Sequence, residues 1–348
     1  MKLTKFGWTV TTLAVIACGG GGGAVIAQQM AERASAQISR NQPGQAGGGA
    51  AVLPQLQLPT GFEVNVFAEG LDAPRMMVVA PDGTAYVTSR DAGTVTALRD
   101  ANGDGVVEDT SVFASNLPGV HGIDHRNGNL YLASSTTLWV TPASAATPQV
   151  IVDGLPDGGQ HGNRTVRFGP DDLMYASVGS SCNDCAEQNQ LERATLIRYS
   201  ADGQQREVIA NGLRNTIGYD WHPQTGALWG MDHGSDFRGD DVPPEELNEI
   251  VAGNNYGWPI CYADRVVDEL TPATPADMAL EPGQSQPSMQ PLTRDQYCAQ
   301  TEPSVLTTTA HSAPMAMQFY RGTQFPAEYR GDAFVAMRGS WNRGEPVG

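Results

Sequence analysis

An all-β propeller is the fold that this sequence predicts, on three observations. Short alternating segments end in Pro, Asp, Asn or Gly turns and recur as hairpins. An aromatic residue returns at the same place in each hairpin, at Tyr86, Tyr131, Tyr175 and Trp229, with steps of 45, 44 and 54 residues. That is the size of a four-stranded propeller blade. Amphipathic helical runs are almost absent.

The first hairpin is Met77-Val-Val-Ala-Pro-Asp-Gly-Thr-Ala-Tyr-Val-Thr88. The second is Gly122-Ile-Asp-His-Arg-Asn-Gly-Asn-Leu-Tyr-Leu-Ala133, and the third Val166-Arg-Phe-Gly-Pro-Asp-Asp-Leu-Met-Tyr-Ala-Ser177. The fourth runs from Gly218 to Gly230, and a fifth from Met317 to Arg338 carries Phe334 in the aromatic position. A Pro-rich insertion, about residues 237–310, separates the last two and has room for a partial blade. In it, Pro243-Pro244 ahead of Glu245-Glu246-Leu-Asn248 reads as a helix N-terminus. A ring must close or leave edge strands unpaired. With five hairpins visible and the chain stopping at Gly348, either the ring has few blades or a further C-terminal segment completes it.

Composition narrows the function. The formal charge is −17, and the only lysines are Lys2 and Lys5, so the chain beyond them carries about −19. Without lysine there is no Walker A site, Schiff-base lysine or kinase strand lysine. So acidic a surface repels nucleic acid phosphates.

The first 27 residues begin with two lysines and run uncharged from Phe6 to Ala27. They read as a signal peptide cut before Gln28, as a lipoprotein leader with Cys18 acylated, or as a retained membrane anchor. All three readings export the protein to the periplasm or cell envelope. Residues 28–52 read as a flexible linker, and 53–348 as the propeller domain. Beyond Cys18 there are four cysteines, Cys182, Cys185, Cys261 and Cys298. An even number in an exported chain suggests disulfides. In the plainer reading Cys182–Cys185 closes a loop and Cys261–Cys298 closes the insertion; a catalytic thiol is the alternative.

From about Leu58 to Gly348 the motifs, in order, resemble the quinoprotein sugar dehydrogenases of the sorbosone and soluble glucose dehydrogenase type. They are Leu58-Pro-Thr-Gly-Phe62 with Gly70-Leu-Asp-Ala-Pro-Arg75, His161-Gly-Asn-Arg164, Gly179-Ser-Ser-Cys-Asn-Asp-Cys185 and Gly212-Leu-Arg-Asn215. Next come Gly239-Asp-Asp-Val-Pro-Pro-Glu-Glu-Leu-Asn248, Asn255-Tyr-Gly-Trp-Pro259, His311-Ser-Ala-Pro314, Tyr329-Arg-Gly-Asp332 and Gly339-Ser-Trp-Asn-Arg343. The resemblance implies a six-bladed propeller whose last blade is incomplete in this chain. It also implies pyrroloquinoline quinone (PQQ) and calcium as cofactors, and a sugar or sugar aldehyde as substrate, with the electron acceptor left open.

The implied chemistry needs a base that takes a hydroxyl proton as hydride leaves carbon for the quinone. A histidine suits it at neutral pH. Of six histidines the resemblance selects His161, on a Gly-rich loop just ahead of a strand, with His233 as the rival. It places Arg214 and Asn215 at the quinone oxygens, and the carbonyls of Gly234 and Ser235 on calcium. Arg338 or Arg343 is assigned to a PQQ carboxylate. Separately, Asp100, Asn102 and Asp104 match the first half of an EF-hand loop, but the twelfth position is Ser111. That loop is either a structural calcium site or an Asp/Gly turn. Two other functions remain open: a calcium-dependent lactonase-like hydrolytic propeller, and a propeller that only binds.

Overall fold

The hairpins form because alternating apolar residues give each strand a buried face and the turn residues reverse the chain. In Arg126-Asn127-Gly128-Asn129 both central residues have positive φ, 50° and 77°, the backbone that a tight two-residue hairpin turn requires and that Asn-Gly supplies. In the computed structural model the described residues are 57–157, 159–185, 192–275 and 292–347, together with one strand at Leu13–Ala17.

Four sheets of the propeller type follow one another along the chain. The first blade holds Pro74–Val79, Ala85–Ser89, Thr94–Arg99 and Asp109–Ala114. Gly122–Arg126, Asn129–Ala133, Leu138–Pro142 and Gln149–Val152 make the second. The third comprises Val166–Phe168, Met174–Val178, Thr195–Tyr199 and Arg206–Asn211, extended in parallel by Asn254–Asn255. In the fourth blade Gly218–Trp221 and Leu228–Asp232 are joined by Glu245–Glu249 and Leu306–Thr308, so the insertion supplies its two outer strands. A fifth sheet pairs Pro314–Phe319 with Asp332–Met337, and Leu13–Ala17 adds to its edge.

Thus the all-β propeller holds, but among the described residues there are four complete blades and a shorter fifth sheet, not six blades. The helix expected at Glu245 is instead a strand. Its pairing on both sides, with Leu228–Asp232 and Leu306–Thr308, outweighs the local Pro-Pro-Glu-Glu signal. Apart from Leu13–Ala17, the expected leader and linker lie outside the described residues. Among the described residues no helix is long and apolar enough to cross a membrane.

The four larger core clusters are each built from two neighbouring sheets. Tyr86 and Val95 meet Leu130 and Leu132, and Leu138 meets Met174 and Ile197. Leu196 meets Tyr219 and Trp221, and Leu247 meets Met317 and Val335. The recurring aromatics act as spacers in these seams. Tyr131 lies edge-on to Phe168 at 4.5 Å, and Tyr175 edge-on to Trp221 at 4.9 Å. Buried carboxylates cross the same seams. Asp124 accepts from the Phe168 amide at 2.7 Å, and Asp220, two residues into its strand like Asp124, accepts from the Phe319 amide at 2.8 Å. Both expected disulfides, Cys182–Cys185 and Cys261–Cys298, are formed. The second lies in the small core of the insertion with Ile260 and Ala273.

Asp220 also accepts from Arg321 at 2.7 and 3.0 Å. Asp220→Ala strands the Phe319 amide in a buried seam, so stability should fall by about 1–3 kcal/mol. Urea unfolding reads this directly, and an unchanged midpoint would show that the seam carboxylate contributes nothing.

Candidate active site

In an antiparallel hairpin the start of the first strand and the end of the second lie at the same edge. The residues singled out by sequence stand at those two places in successive blades. His161 precedes Val166–Phe168, and Ser180 follows Met174–Val178. Arg214 and Asn215 precede Gly218–Trp221, and His233, Gly234 and Ser235 follow Leu228–Asp232. Arg338 follows Asp332–Met337. One end of the propeller therefore collects them.

His161 and Asn215 close on either side of Gly179. A Cβ there would stand 2.5 Å from the His161 Cβ and 2.8 Å from the Asn215 Oδ1, so only glycine permits the approach. The loop carrying His161 is pinned by fully buried Arg164, which donates to the carbonyls of His161 at 2.7 Å and Pro156 at 2.6 Å.

Hydrogen bonds set the tautomers of both histidines. His161 Nδ1 lies 2.8 Å from Ser180 Oγ and 3.1 Å from the Ser180 carbonyl. Ser180 Oγ spends its own proton on the Cys182 carbonyl at 2.7 Å, so Nδ1 carries the hydrogen and Nε2 presents a lone pair. His233 Nε2 donates to the Pro314 carbonyl at 2.6 Å, and its Nδ1 accepts from Asn215 Nδ2 at 3.3 Å. Both nitrogens of His233 are occupied, which leaves His161 as the ring able to take a proton. Burial pulls His161 down to about 3, with Arg214 and His233 adding to the shift, and takes His233 down to about 4. Both rings are neutral at pH 7.

Arg214 and Asn215 are set by Asp232. Its carboxylate accepts from the Arg214 amide at 2.8 Å, the Asn215 amide at 2.8 Å and Thr216 Oγ1 at 2.7 Å. Burial raises Asp232 to about 6 against these donors, so it stays ionised at neutral pH. The Arg214 guanidinium, only 2% exposed, donates to Asn183 through Nε and Nη2, to Asp236 at 2.9 Å and to the His233 carbonyl at 3.4 Å. One Nη1 hydrogen of Arg214 and one Nδ2 hydrogen of Asn215 have no acceptor among the described residues.

Gly234 is packed against Pro243 and Pro244, and its amide donates to Glu245 Oε2 at 3.0 Å. Glu245 Oε1 accepts from the Ala313 amide at 2.9 Å, tying the Gly234–Ser235 turn to the start of the fifth sheet. Burial raises Glu245 to about 7 and Glu246 to about 8. A cavity of about 20 Å³ lies beside this turn, lined by Asp232, His233, Gly234, Ser235, Glu246 and Trp258 among others. The carbonyls of Gly234 and Ser235 accept no hydrogen bond from a described residue, so they are available to a hard cation.

The two C-terminal arginines part company. Arg338 sits near His233 and Arg75, with no carboxylate among the described residues in hydrogen-bond reach. Arg343 instead donates to the carbonyls of Asp240 and Ala310 and tethers the C-terminal segment to the insertion. Sequence reading missed Arg75 and Arg90. Arg75 is lowered first by burial and then by the neighbouring Arg338 and Arg90, with Asp91 opposing, and its buried Nε has no partner among the described residues. An arginine cluster with an orphaned donor fits an anion with several carboxylates, and PQQ is one. The strand position of Arg75, matching that of the site loops in later blades, was the signal available.

Asp100, Asn102 and Asp104 do not join this group. They lie in the connection after Thr94–Arg99 of the first blade, where Asp100, Asp104 and Glu108 bring carboxylate oxygens within 4.8 Å of one another. Glu108, not the residue at the twelfth position, completes the trio. Asp100 accepts from the Gly103 and Gly105 amides at 2.6 and 2.8 Å, so the loop is also a self-satisfied turn.

Two outcomes test the geometry. Histidine NMR should find His161 as the Nδ1–H tautomer with no titration between pH 5 and 8; a transition near the ordinary histidine value would mean the ring is not enclosed as described. Gly179→Ala should force His161 and Asn215 apart, costing about 1–3 kcal/mol of stability and shifting the His161 ring signals. Unaltered signals would show that the contact is not tight.

A family model described as TrAA12-like matches residues 56–348. The chain is 27% identical over 334 residues to the pyrroloquinoline quinone-dependent pyranose dehydrogenase of Coprinopsis cinerea, covering 84% of this chain and 44% of that protein. It is 25% identical over 313 residues to an uncharacterized protein of Borreliella burgdorferi, covering 84% of this chain and 74% of the relative. It spans less than half the length of the fungal dehydrogenase. Among solved structures, the holo PQQ domain of the Coprinopsis cinerea enzyme superposes with a TM-score of 0.67 at 24% identity, over 87% of this chain and 80% of that one. A calcium structure of a Trichoderma reesei family AA12 enzyme also gives 0.67, at 22% identity over 83% of this chain and 79% of that one. The fold, the order of motifs and the matched span together place this chain in the TrAA12-like family.

Proposed function

We propose that this protein is a PQQ-dependent dehydrogenase that oxidises a sugar or sugar aldehyde, with His161 as general base. The observation that carries the reading is the fixed tautomer of His161: Nδ1–H is held by Ser180, which leaves Nε2 as the basic nitrogen of a ring that feels the charge of Arg214. The residues fit the cofactor. Arg75 and Arg338 would hold its carboxylates, and the carbonyls of Gly234 and Ser235 would take the calcium ion. When bound, the quinone supplies the two-electron acceptor.

The chain's own contribution is to accept and orient. His161 Nε2 takes the hydroxyl proton of the substrate, and its Nδ1–H, fixed on Ser180, keeps the ring turned toward the site. The free N–H groups of Arg214 and Asn215 point hydrogen-bond donors to where negative charge develops. Beside them, Phe237 and Trp341 are 68% and 60% exposed and touch edge to face at 5.6 Å, offering an apolar ring face of the kind that suits a pyranose. The hydrolytic alternative is disfavoured. Asp232, Asp236 and Glu245 accept from backbone amides, Arg214 and Asn342, bonds that fix the loops in place and leave these carboxylates a structural task.

The disulfides accord with export, because such bonds persist in oxidising compartments. We expect mature protein to begin near Gln28, or at an acylated Cys18, and to be recovered outside the cytoplasm.

The test is reconstitution with PQQ and calcium, followed by dye-linked oxidation of aldoses and sugar aldehydes. His161→Ala should lower kcat by about 10²–10⁴ while PQQ stays bound. His233→Ala should act mainly on cofactor affinity. If His233→Ala abolishes turnover with PQQ bound and His161→Ala does not, the two roles are reversed. Lactone hydrolysis without PQQ would replace the dehydrogenase reading altogether.

A further inference from the structure

Asn183, at the tip of the loop closed by Cys182–Cys185, touches both Arg214 and the turn at Ser235–Asp236. Its carbonyl accepts from Arg214 Nε at 2.8 Å, Trp258 Nε1 at 3.3 Å and Ser235 Oγ at 3.4 Å. Its side-chain Oδ1 accepts from Arg214 Nη2 at 2.8 Å and from the Asp236 amide at 2.7 Å. Its Nδ2 donates to the Asp236 carbonyl at 3.0 Å. One residue thus fixes the guanidinium of Arg214 and also the turn that carries the Ser235 carbonyl. The same loop holds the base, since Ser180 Oγ donates to the Cys182 carbonyl and accepts from His161.

Residues 181–185 have neither helix nor strand to hold them. The loop is restrained by the covalent closure between Cys182 and Cys185, by the Asp184–Arg238 ion pair, and by hydrogen bonds from the Gln160 amide to the Ser181 carbonyl and from Thr271 to the Asp184 carbonyl. An unrestrained loop of this kind samples many backbone states, and each hydrogen bond of Asn183 would have to oppose that freedom.

We propose that Asn183 is a positioning residue held in place by the Cys182–Cys185 disulfide, and that the pair sets Arg214 and the Gly234–Ser235 turn for the cofactor. This rests on the dehydrogenase reading for its purpose, but not for its geometry. A consequence follows for redox conditions. A dithiol that gives two electrons and two protons to this disulfide yields two cysteine thiols and is itself oxidised to a disulfide. Cys182 and Cys185 are half-buried and open to such attack, whereas Cys261 and Cys298 are only 4% and 1% exposed. Mild reduction should therefore open the site loop and leave the insertion closed.

The experiment reads Arg214 in the apo protein. Phenylglyoxal labelling with peptide mapping should find Arg214 protected in the wild type. Labelling should rise severalfold in Asn183→Ala, and likewise in wild-type protein reduced with dithiothreitol and shown by mapping to hold free thiols only at Cys182 and Cys185. Asn183→Asp keeps the oxygen that accepts from Arg214 Nη2 and the Asp236 amide and gives up only the donor to the Asp236 carbonyl, so protection of Arg214 should return, which a merely structural defect would not allow. PQQ affinity, measured by equilibrium dialysis with calcium, should fall by about 10–100-fold in Asn183→Ala and on reduction. If Arg214 stays protected both in folded Asn183→Ala and in the selectively reduced protein, the inference is wrong. If labelling behaves as expected but wild-type protein fails to bind PQQ, the positioning role stands and the dehydrogenase reading falls.

Discussion

Antiparallel pairing decides where chemistry can gather in this protein. A hairpin has two edges, and the residue entering its first strand shares an edge with the residue leaving its second. Stacking such hairpins side by side aligns those edges, so positions far apart in sequence become neighbours. His161, Arg214 and His233 belong to three different loops, yet their charges and rings act on one another directly. The seams that keep the blades in register are apolar, with one buried carboxylate crossing from a first strand to the next blade's amide at Asp124 and again at Asp220. Shape comes from the apolar contacts, and angular register from these hydrogen bonds.

The carboxylates nearest the site do structural work, and their environment explains why. Burial raises Asp232, Glu245 and Glu246, because a charge in low dielectric is costly. Each is stabilised by amide donors: Arg214 and Asn215 for Asp232, Gly234 and Ala313 for Glu245, Ala263 for Glu246. These acids convert backbone amides into fixed points, and loops without regular structure gain a defined shape from them. The positive charge at Arg75 and Arg338 is in no ion pair among the described residues, and the Arg75 Nε has no hydrogen-bond partner there. An acidic protein with an unbalanced arginine cluster at one edge is built to attract an anion there and to repel anions elsewhere.

Much of the fold was legible because it is written in local periodicity. Alternation and turn residues specify hairpins without help from distant chain, and the spacing of Tyr86, Tyr131 and Tyr175 is that of one blade. The disulfide partners could be read from an even set of cysteines. His161, Arg214, Asn215, Gly234 and Ser235 were reached through the resemblance to the quinoprotein sugar dehydrogenases, and the structure brings them to one edge of their hairpins. The sequence by itself thus determined the strands, their repeat and the segments from which a site would be drawn.

Other features depend on what a residue meets across the fold. Pro243-Pro244-Glu245-Glu246 carries every local sign of a helix start, and only pairing with strands on both sides makes it a buried strand. Arg338 and Arg343 look equivalent in sequence; one faces another arginine, and the other is held by carbonyls of the insertion. Arg75, Glu108 and Asn183 acquire their roles from partners 15 to 263 positions away or from a loop closed on itself. The tautomer of His161 follows from a hydroxyl whose own proton is committed elsewhere. Local propensity is a property of neighbours in the chain. Charge pairing, burial and proton placement are properties of neighbours in space, and the tertiary structure alone decides those.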